Sequence, residues 1–352
     1  MYLLFYILGI FSLIITLISF IKNDYWLIRI CDFPRLQIAF LALLSLLIGI
    51  YLKKYSNQLD VILLILFSIV FIFQSYKVAP YTKIWKRQVL PIDTQIRKES
   101  IISIFIANIF MENKNYDKCL ASIAQCNPDI IFILEANQEW KMELDVLCKE
   151  YPFKNLYPLE TTYGLLFYSR LKISEMELRF LLTKEIPSIK TKITLGTGEK
   201  IMFYGLHPKP PAPQEAETTT KRDAELILVA KEILESGEPS IVAGDLNDVA
   251  WSRTSALFQK ISKLLDPRIG RGLYASFHSK YWLFRWPLDH VFHSIDFKLI
   301  ELKRQKNICS DHFPIFIKLA FLPEEKHHHD EIQPDSEDIK EGNEKLAKAK
   351  TA

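Results

Sequence analysis

The sequence predicts a layered sandwich of strands and helices, in the mixed α/β and α+β class, preceded by three transmembrane helices. Two patterns support this prediction. Apolar stretches with few charges dominate residues 1–80, and many short apolar runs with a few helical segments occupy residues 99–322. The first pattern is typical of helices that cross a bilayer. The second is typical of sheets packed against helices.

Three uncharged stretches open the chain: Tyr2–Ile21, Leu36–Leu52 and Val61–Tyr76. The first is long enough to cross a bilayer, and the other two are near the lower limit. No basic segment precedes the first stretch and no A-x-A-like cleavage site follows it, which argues against a signal peptide. Residues 1–80 are therefore predicted to form a three-helix anchor, with the N-terminus and the main domain on opposite sides of the membrane.

Charge divides the rest of the chain. Residues 81–98 read as a basic linker, and residues 323–352 read as a disordered charged tail in which His327–His329 is solvated. Residues 91–321 carry thirty basic and twenty-nine acidic side chains, so the main domain lacks the basic footprint of a non-specific nucleic-acid binder. The five cysteines are irregularly spaced without a CxxC pair, which argues against a zinc site or a disulfide framework.

The main domain opens with a predicted strand–helix–strand unit. Ile101–Ile106 is a buried apolar run, Asn115–Gln125 has helical spacing, and Ile130–Leu134 is a second apolar run. Asn127-Pro128 ends the helix, because a residue before proline avoids the helical region.

Short strands with antiparallel pairing are predicted for most of the remaining chain. Gly196-Thr197-Gly198 marks a hairpin turn between two of them. The further strands are Gly164–Ser169, Lys190–Leu195, Ile201–Leu206, Ser240–Ala243, His290–His293, Lys298–Lys303 and Phe313–Phe321, with helices over Thr218–Glu235 and Thr254–Leu265.

Polar residues occur where turn residues would ordinarily close the apolar runs. These groups are Asn108, Glu135, His207-Pro208, Gly244–Asn247, Asp289-His290 and Ser310–His312. Gathered at one edge of a sheet, such side chains would hold a divalent metal, position a water molecule and receive a phosphate group. For each group alone, a turn or a helix cap is the structural alternative.

Glu135 and Asp311 offer the oxygen ligands that a hard cation such as Mg²⁺ prefers, with Mn²⁺ as the alternative. Asn108 would add an amide oxygen or orient a metal-bound water. Asp245 and Asn247 lie on one face of an extended segment, where one accepts a proton from water and the other donates to phosphate oxygens.

Two histidines complete the predicted site. His207 precedes a stiff proline-rich segment, and an imidazole held there suits proton transfer to a leaving oxygen. Asp289 would fix the tautomer of His312 and favour its charged form, which then contacts phosphate. His290 points to the opposite face and is predicted to be structural.

In type and order, these residues resemble the endonuclease/exonuclease/phosphatase superfamily of metal-dependent phosphoesterases with the DNase I-like fold. The resemblance covers about residues 99–321 and rests on Asn108, Glu135, His207, Gly-Asp-Leu-Asn at 244–247, Leu-Asp-His-Val-Phe at 288–292 and Ser-Asp-His-Phe-Pro at 310–314. It implies a four-layer αββα sandwich with the site at one rim.

The resemblance also implies roles for individual residues. Glu135 would be the principal metal ligand, supported by Asn108 and Asp311. Asp245 would orient or deprotonate the attacking water, and Asn247 would steady the phosphoryl oxygens. His207 would be the acid or a phosphate contact, with Asp289 and His312 as a second dyad.

One departure from the superfamily concerns His207. Members similar to DNase I place an acid behind the first histidine, near the strand at 164–169, whereas this chain has Tyr163-Gly164-Leu165 there. This departure puts the general-acid role of His207 in question.

The pairing of three spans with this domain is similar to a bacterial subgroup that includes teicoplanin-resistance proteins. That subgroup implies a plasma-membrane protein whose catalytic domain faces outward, into the periplasm, whereas the lysines and arginines flanking the spans favour the cytoplasm.

The sequence therefore predicts a membrane-anchored, Mg²⁺-dependent phosphoesterase, with an envelope lipid phosphate as the favoured substrate. The alternatives are a metal-dependent nuclease acting on DNA or RNA and a non-catalytic phosphate-binding module. Trp251 and Arg285 are candidate substrate contacts together with Asn247 and His312. Their stretches carry rings that would stack on bases, hold a lipid tail or only pack.

Overall fold

The computed structural model describes residues 1–92 and 96–351 and opens with a bundle of apolar helices. These are α1 (Tyr2–Ser19), α2 (Trp26–Arg29), α3 (Arg35–Tyr51) and α4 (Gln58–Val78). Two helices, α1 and the one that begins at Gln58, are long and apolar enough to cross a membrane. A third span results only if α2 and α3, which meet at a 68° bend, count as one. Pro34 lies at this break, where its missing N–H and fixed φ interrupt the helix.

Small and polar residues let the apolar helices pack closely. Gly9 of α1 lies under the Phe67 ring of α4, and a Cβ atom at Gly9 would come within 2.1 Å of that ring. The hydroxyl of Ser45 donates to the Phe5 carbonyl, and the Gln74 amide donates to the Thr16 hydroxyl. Small residues and side-chain hydrogen bonds of this kind let apolar helices approach closely.

After α4, the described residues contribute eleven strands in two sheets. The strands are β1 (Ile101–Asn108), β2 (Ile130–Leu134), β3 (Phe153–Tyr157), β4 (Leu165–Ser169), β5 (Lys172–Arg179), β6 (Ser188–Thr194), β7 (Lys200–Leu206), β8 (Ser240–Asp245), β9 (Asp289–His293), β10 (Phe297–Arg304) and β11 (Ile315–Phe321). One sheet has the order β10-β11-β1-β2-β4-β3 and the other β5-β6-β7-β8-β9.

Helices cover the outer face of each sheet. They are α5 (Tyr116–Cys126), α6 (Gln138–Glu143), α7 (Thr220–Ser236), α8 (Arg253–Ser262) and α9 (Ser336–Ala349). Phe132, Phe167 and Phe203 belong to the core between the sheets, whereas Trp140 of α6 and Phe258 of α8 pack in the two outer cores. Because both faces of the central strands are buried, they read as continuous apolar runs. This is the predicted four-layer αββα sandwich.

The tail prediction is wrong for the helix α9. Asp335 caps it through a capping box, and Ile339 and Leu346 pack against the core that α7 and α8 share. The prediction failed because apolar residues are few in this charged segment, although their helical spacing gives one buried face. His329 also differs from prediction: it is buried, its Nε2 accepts from the Leu90 N–H, and its Nδ1 lies 3.0 Å from the Ile295 carbonyl.

The segment that joins α1 to α3 packs on the catalytic domain. The Trp26 N–H donates to the Glu217 carbonyl, and the Thr219 N–H donates to the Asp24 carbonyl. The predicted linker, residues 81–98, also contacts this domain through the buried Val89, although its residues 93–95 lie outside the described residues. The anchor and the sandwich therefore share hydrogen bonds as well as a covalent connection.

Candidate active site

The site lies at one edge of the sandwich, where strand ends from both sheets meet. Strands β1 and β2 run parallel, as do β7 and β8, so each pair ends at one edge. Strands β9 and β11 are antiparallel to their neighbours and therefore begin at those edges. The first sheet contributes Asn108, Glu135 and the Asp311-His312 pair, and the second contributes His207, Asp245, Asn247 and Asp289.

Asn108 joins the two halves of the site. Its amide nitrogen donates to Glu135 Oε1 at 2.7 Å and to Asp245 Oδ2 at 3.2 Å. Both carboxylates therefore share one hydrogen-bond donor at the boundary between the two sheets. The Asn108 oxygen accepts from the Phe110 N–H at 3.1 Å. The amide group thus positions the two carboxylates, and the role predicted for Asn108 at a metal, as an oxygen ligand or in orienting a metal-bound water, stays a prediction.

Unusual backbone conformations orient three site residues. Glu135 has a φ of 62° and Asn247 a φ of 51°, both in a region that non-glycine residues rarely adopt. Gly244 has a φ of 147°, and a Cβ there would lie 1.9 Å from the Leu206 carbonyl oxygen. Backbone strain of this kind concentrates at functional sites. Here it sets the directions of the Glu135 and Asn247 side chains, which follow the ends of β2 and β8.

The carboxylates at this rim fit a divalent cation. Burial raises the pKa of Glu135 to about 7, although the Asn108 hydrogen bond opposes the rise, and the nearby Asp311 and Asp245 add to it. Crowded, partly desolvated carboxylates are stabilised in their charged form by a positive ion. Glu135 and Asp311 are hard oxygen donors, so this donor set suits Mg²⁺ or Mn²⁺.

His312 bridges two carboxylates. Its Nδ1 lies 2.7 Å from Asp289 Oδ2, and its Nε2 lies 3.5 Å from Asp245 Oδ2. Burial alone would lower the pKa of His312, but Asp289 and Asp245 outweigh it and raise that pKa to about 10. The close grouping of these three side chains resembles a metal site by distance. These three side chains could therefore hold a metal ion, and their ion-pair distances also make them an ionic triad centred on His312.

His207 has a different environment. It is buried, its Nε2 lies 4.0 Å from Asp245 Oδ2, and its Nδ1 has no hydrogen-bond partner among the described residues. The Tyr163 ring lies 5.6 Å away, while the Tyr163 hydroxyl donates to Glu215 instead. Burial, with a smaller contribution from His312, lowers the pKa of His207 to about 4. His207 is therefore neutral at physiological pH.

Asp245 and Asn247 are arranged around one turn. Asp245 Oδ1 accepts from the Asn247 N–H at 2.9 Å, and the Asn247 amide donates to the Pro208 carbonyl at 3.0 Å. Burial also raises the pKa of the Asp245 carboxyl, and the neighbouring His312 opposes that rise. The Asx turn considered from the sequence is therefore present, and it leaves Asp245 Oδ2 facing both histidines.

A buried charge network supports this turn and was missed by sequence reasoning. Arg222 of α7 donates to the Asn247 carbonyl at 2.7 Å and to Asp248 Oδ2 at 3.2 Å, while also pairing with Asp223. Thr254 donates to Asp223 and accepts from Arg29, in the anchor segment. The available sequence signal was the adjacent Arg222-Asp223 pair in the predicted helix Thr218–Glu235.

A second buried arginine supports the next strand. Arg268 pairs with Asp266 at 2.7 Å, and its guanidinium lies 2.7 Å from His290 Nδ1. Because arginine only donates, Nδ1 must accept, and His290 Nε2 then donates to the Asp248 carbonyl at 2.8 Å. His290 thus contacts the supporting network, in agreement with the structural role predicted for it.

The two predicted substrate contacts outside the cluster have different positions. Trp251 is buried, and its indole N–H donates to the Asp32 carbonyl of the anchor segment. The prediction of Trp251 as a substrate contact is therefore contradicted, because its ring is already packed between the domain and the anchor. Arg285 is half-buried, donates to the Ser279 carbonyl and lies 5.0 Å from the Phe313 ring, one residue from His312.

A two-sheet sandwich with carboxylates, amides and histidines at one rim defines a hydrolase of phosphate esters. The chain belongs to the Endonuclease/Exonuclease/phosphatase family, whose sequence pattern matches residues 106–312. Members of this family are phosphoesterases and nucleases and typically use a divalent metal.

Solved structures share the fold. The D. rerio TDP2 complexed with single strand DNA product has 17% identity and a TM-score of 0.51, covering 62% of this chain and 99% of that chain. The human Nocturnin catalytic domain with bound sulfate anion has 17% identity and a TM-score of 0.52, covering 65% and 96%. An endonuclease/exonuclease/phosphatase from Beutenbergia cavernae has 13% identity and a TM-score of 0.51, covering 63% and 72%. At these identities the likeness concerns the fold alone. A comparison with curated proteins gave no match.

Proposed function

We propose that this protein is a membrane-anchored, Mg²⁺-dependent phosphoesterase that hydrolyses the phosphate or pyrophosphate ester of an envelope lipid. The observation that carries the proposal is the convergence of Glu135, Asp245 and His312 around the Asn108 amide and the Asp289 carboxylate. Such a rim supplies a metal pocket, a base and a cationic phosphate contact side by side.

Each residue of the chain has a distinct role in this proposal. Asp245 orients and deprotonates the attacking water, since its Oδ2 faces the interior of the site. His312, kept protonated by Asp289, and the Asn247 amide hold the phosphoryl oxygens. His207 is neutral and therefore serves as a hydrogen-bonding phosphate contact rather than as the acid. A divalent cation held by Glu135 and Asp311 would polarise the phosphoryl group and stabilise charge on the leaving oxygen.

A membrane substrate is supported by the way the anchor meets the catalytic domain. The Gln37 side chain, in the first turn of α3, donates to the Leu283 carbonyl. Leu283 lies among the large exposed side chains of Tyr281, Trp282 and Phe284. His278 and Ser279 come just before this segment, and the Ser279 N–H donates to the Asp311 carbonyl. The rim is thus fastened near one end of the apolar helices, where lipid headgroups would lie.

We propose further that the catalytic domain faces outward from a bacterial plasma membrane. The C-terminal ends of α1 and α4, at Ser19 and Val78, adjoin segments that contact the catalytic domain. These contacts support the placement of both connections on the same side of the membrane as that domain. Protease accessibility in intact spheroplasts tests the orientation: outward placement predicts cleavage of the domain without lysis, and protection until lysis would reverse the assignment.

The test of the reaction uses the full chain in lipid nanodiscs. Release of phosphate or cleaved product is measured with phospholipid, isoprenoid pyrophosphate, DNA and RNA, in Mg²⁺ and in EDTA. We expect Mg²⁺-dependent hydrolysis of a lipid phosphate, loss of activity on Glu135→Ala, and full activity for Glu139→Ala, a matched change at a half-exposed glutamate four residues away.

Other outcomes would favour other functions. Preferential cleavage of DNA or RNA would support the nuclease alternative, which the nearly neutral domain does not favour. Binding of phosphate ligands without turnover of any substrate would support the non-catalytic module.

A further inference from the structure

A groove of about 650 Å³ lies beside the active-site rim and is separate from it. Its walls come from the first turn of α3 (Leu36 and Gln37), from the segment after α4 (Lys83), from residues 271–275 and from β10. Trp282, with 74% of its surface exposed, forms part of the edge. The groove therefore joins the anchor to the catalytic domain.

The charged part of the lining is entirely cationic. It contains five basic side chains and no aspartate or glutamate: Lys83, Arg271, Arg285, Lys303 and Arg304. Within residues 1–92 and 96–351, none of these five forms an ion pair with a carboxylate. The lysines Lys260 and Lys192, on other surfaces, do so with Asp338 and Glu238. A surface that leaves five cations without acidic partners attracts anions.

Backbone carbonyls hold three of these cations in place. Arg271 donates to the Val89 and Pro267 carbonyls. Arg285 donates to the Ser279 carbonyl, and Arg304 donates to the Ala275 carbonyl. Arg285 and Arg304 both lie against the Phe313 ring, at 5.0 Å and 4.3 Å from its centre. Hydrogen bonds to backbone carbonyl oxygens orient a guanidinium without neutralising its charge. The site is thus built before any ligand arrives.

The position of the groove identifies the source of its ligand. Leu36 and Gln37 begin the apolar run of α3, so in a bilayer they lie at the level of the headgroups. Tryptophan and tyrosine rings at that depth, next to basic side chains, are typical of contacts with anionic lipids. Trp282 and Leu36 provide the apolar wall, and the five cations face the headgroup.

We propose that this groove binds the headgroup of an acidic phospholipid in the bilayer. The bound lipid would hold the 281–284 segment on the membrane surface. Arg285, which follows this segment, lies 5.0 Å from the ring of Phe313, the residue after His312. The inference depends on anchoring in a bilayer and not on the hydrolytic reaction. A test of lipid binding can therefore fail while hydrolysis is observed, and hydrolysis can fail while lipid binding is observed.

The test places the full chain in nanodiscs of phosphatidylcholine, with or without phosphatidylglycerol, and uses brominated versions of each lipid to quench tryptophan fluorescence. The difference between the parent chain and Trp282→Phe isolates the signal of Trp282. We expect brominated phosphatidylglycerol to quench Trp282 more strongly than brominated phosphatidylcholine, with a preference that weakens as salt is raised.

Charge substitutions then locate the effect. The double substitution Lys83→Gln/Lys303→Gln removes two exposed cations of the groove and should weaken the preference for phosphatidylglycerol by roughly tenfold or more. The control, Lys172→Gln/Lys200→Gln, removes two exposed lysines at the ends of β5 and β7 and should leave the preference unchanged.

Three results would overturn the proposal. The first is equal quenching of Trp282 by the two brominated lipids, and the second is an equal loss of preference in both double variants. The third is abolition of the preference by inorganic phosphate but not by chloride at the same ionic strength, which would identify a site for free anions rather than for lipid.

Discussion

The two histidines of the site are both buried, yet the structure makes one positively charged and leaves the other neutral. His312 has carboxylates on both ring nitrogens, with Asp289 at 2.7 Å and Asp245 at 3.5 Å. His207 has only Asp245, at 4.0 Å, and its other nitrogen has no partner in the described part of the chain. Burial lowers the pKa of either ring, but only His312 has enough nearby negative charge to reverse the effect.

This difference shows that the partner behind an imidazole determines its role. A ring backed by a carboxylate carries a positive charge that can bind phosphate. A ring backed by the apolar part of Tyr163 remains neutral and can only donate or accept a hydrogen bond. The two ends of the rim are thus specialised, and Asp245 lies between them.

The largest expected effect comes from Asp245→Asn, which removes the one carboxylate that both histidines face. Loss of the base should reduce kcat by roughly a thousandfold. The measurement is initial-rate kinetics at saturating Mg²⁺. Asp117→Asn, at an exposed position in α5, is the control and should keep the parental rate. A fall of less than about tenfold in the Asp245 variant would contradict its role as base.

Asp289→Asn removes one of the two carboxylates that face His312, so the surroundings of this ring become more like those of His207. With one carboxylate lost, the pKa of His312 falls from about 10, so the ring loses its charge at a lower pH. We expect kcat to fall by roughly a hundredfold. The alkaline limb of the kcat profile should also move towards neutral pH, because activity requires the protonated ring. An unchanged limb would mean that His312 is not the group whose deprotonation ends activity.

His207→Gln should have a smaller effect, because it removes a neutral hydrogen-bonding group. We expect roughly a tenfold loss of kcat. Since the pKa of His207 is about 4, the ring is neutral from pH 5 upward, and the variant should keep the acid limb of the parent. If the parent has a limb near pH 6.5 that disappears in the variant, then His207 titrates during catalysis and acts as the acid.

The smallest effect is expected for Glu215→Gln, which tests for a remote acid behind His207. Glu215 accepts from the Tyr163 hydroxyl at 2.8 Å and has no direct contact with the imidazole in the structure. The change should alter kcat by less than about twofold, as is usual for a partly exposed group outside the site. A loss as large as that of His207→Gln would show that Tyr163 relays the charge of Glu215 to the ring.

Much of the fold could be predicted from the sequence because local patterns carry it. The run Ile130–Leu134 was predicted with its observed bounds, and the turn at Gly196–Gly198 joins β6 to β7 as expected. Strands β3 and β5 were missed, since their burial is partial and their composition is polar. These two strands form because they pair with β4 and β6. Their own residues do not indicate that pairing.

The sequence by itself determined which residues meet at the rim, because strand ends in a sandwich converge and the polar groups stand at those ends. The tertiary structure alone decided how each group is used. The Asn108 amide faces the carboxylates because its oxygen is taken by a backbone N–H two residues away. Trp251 is buried because the anchor segment covers it, and His207 is neutral because the chain brings a ring rather than an acid behind it. Orientation, burial and charge depend on neighbours that are distant in sequence, and so they follow from packing.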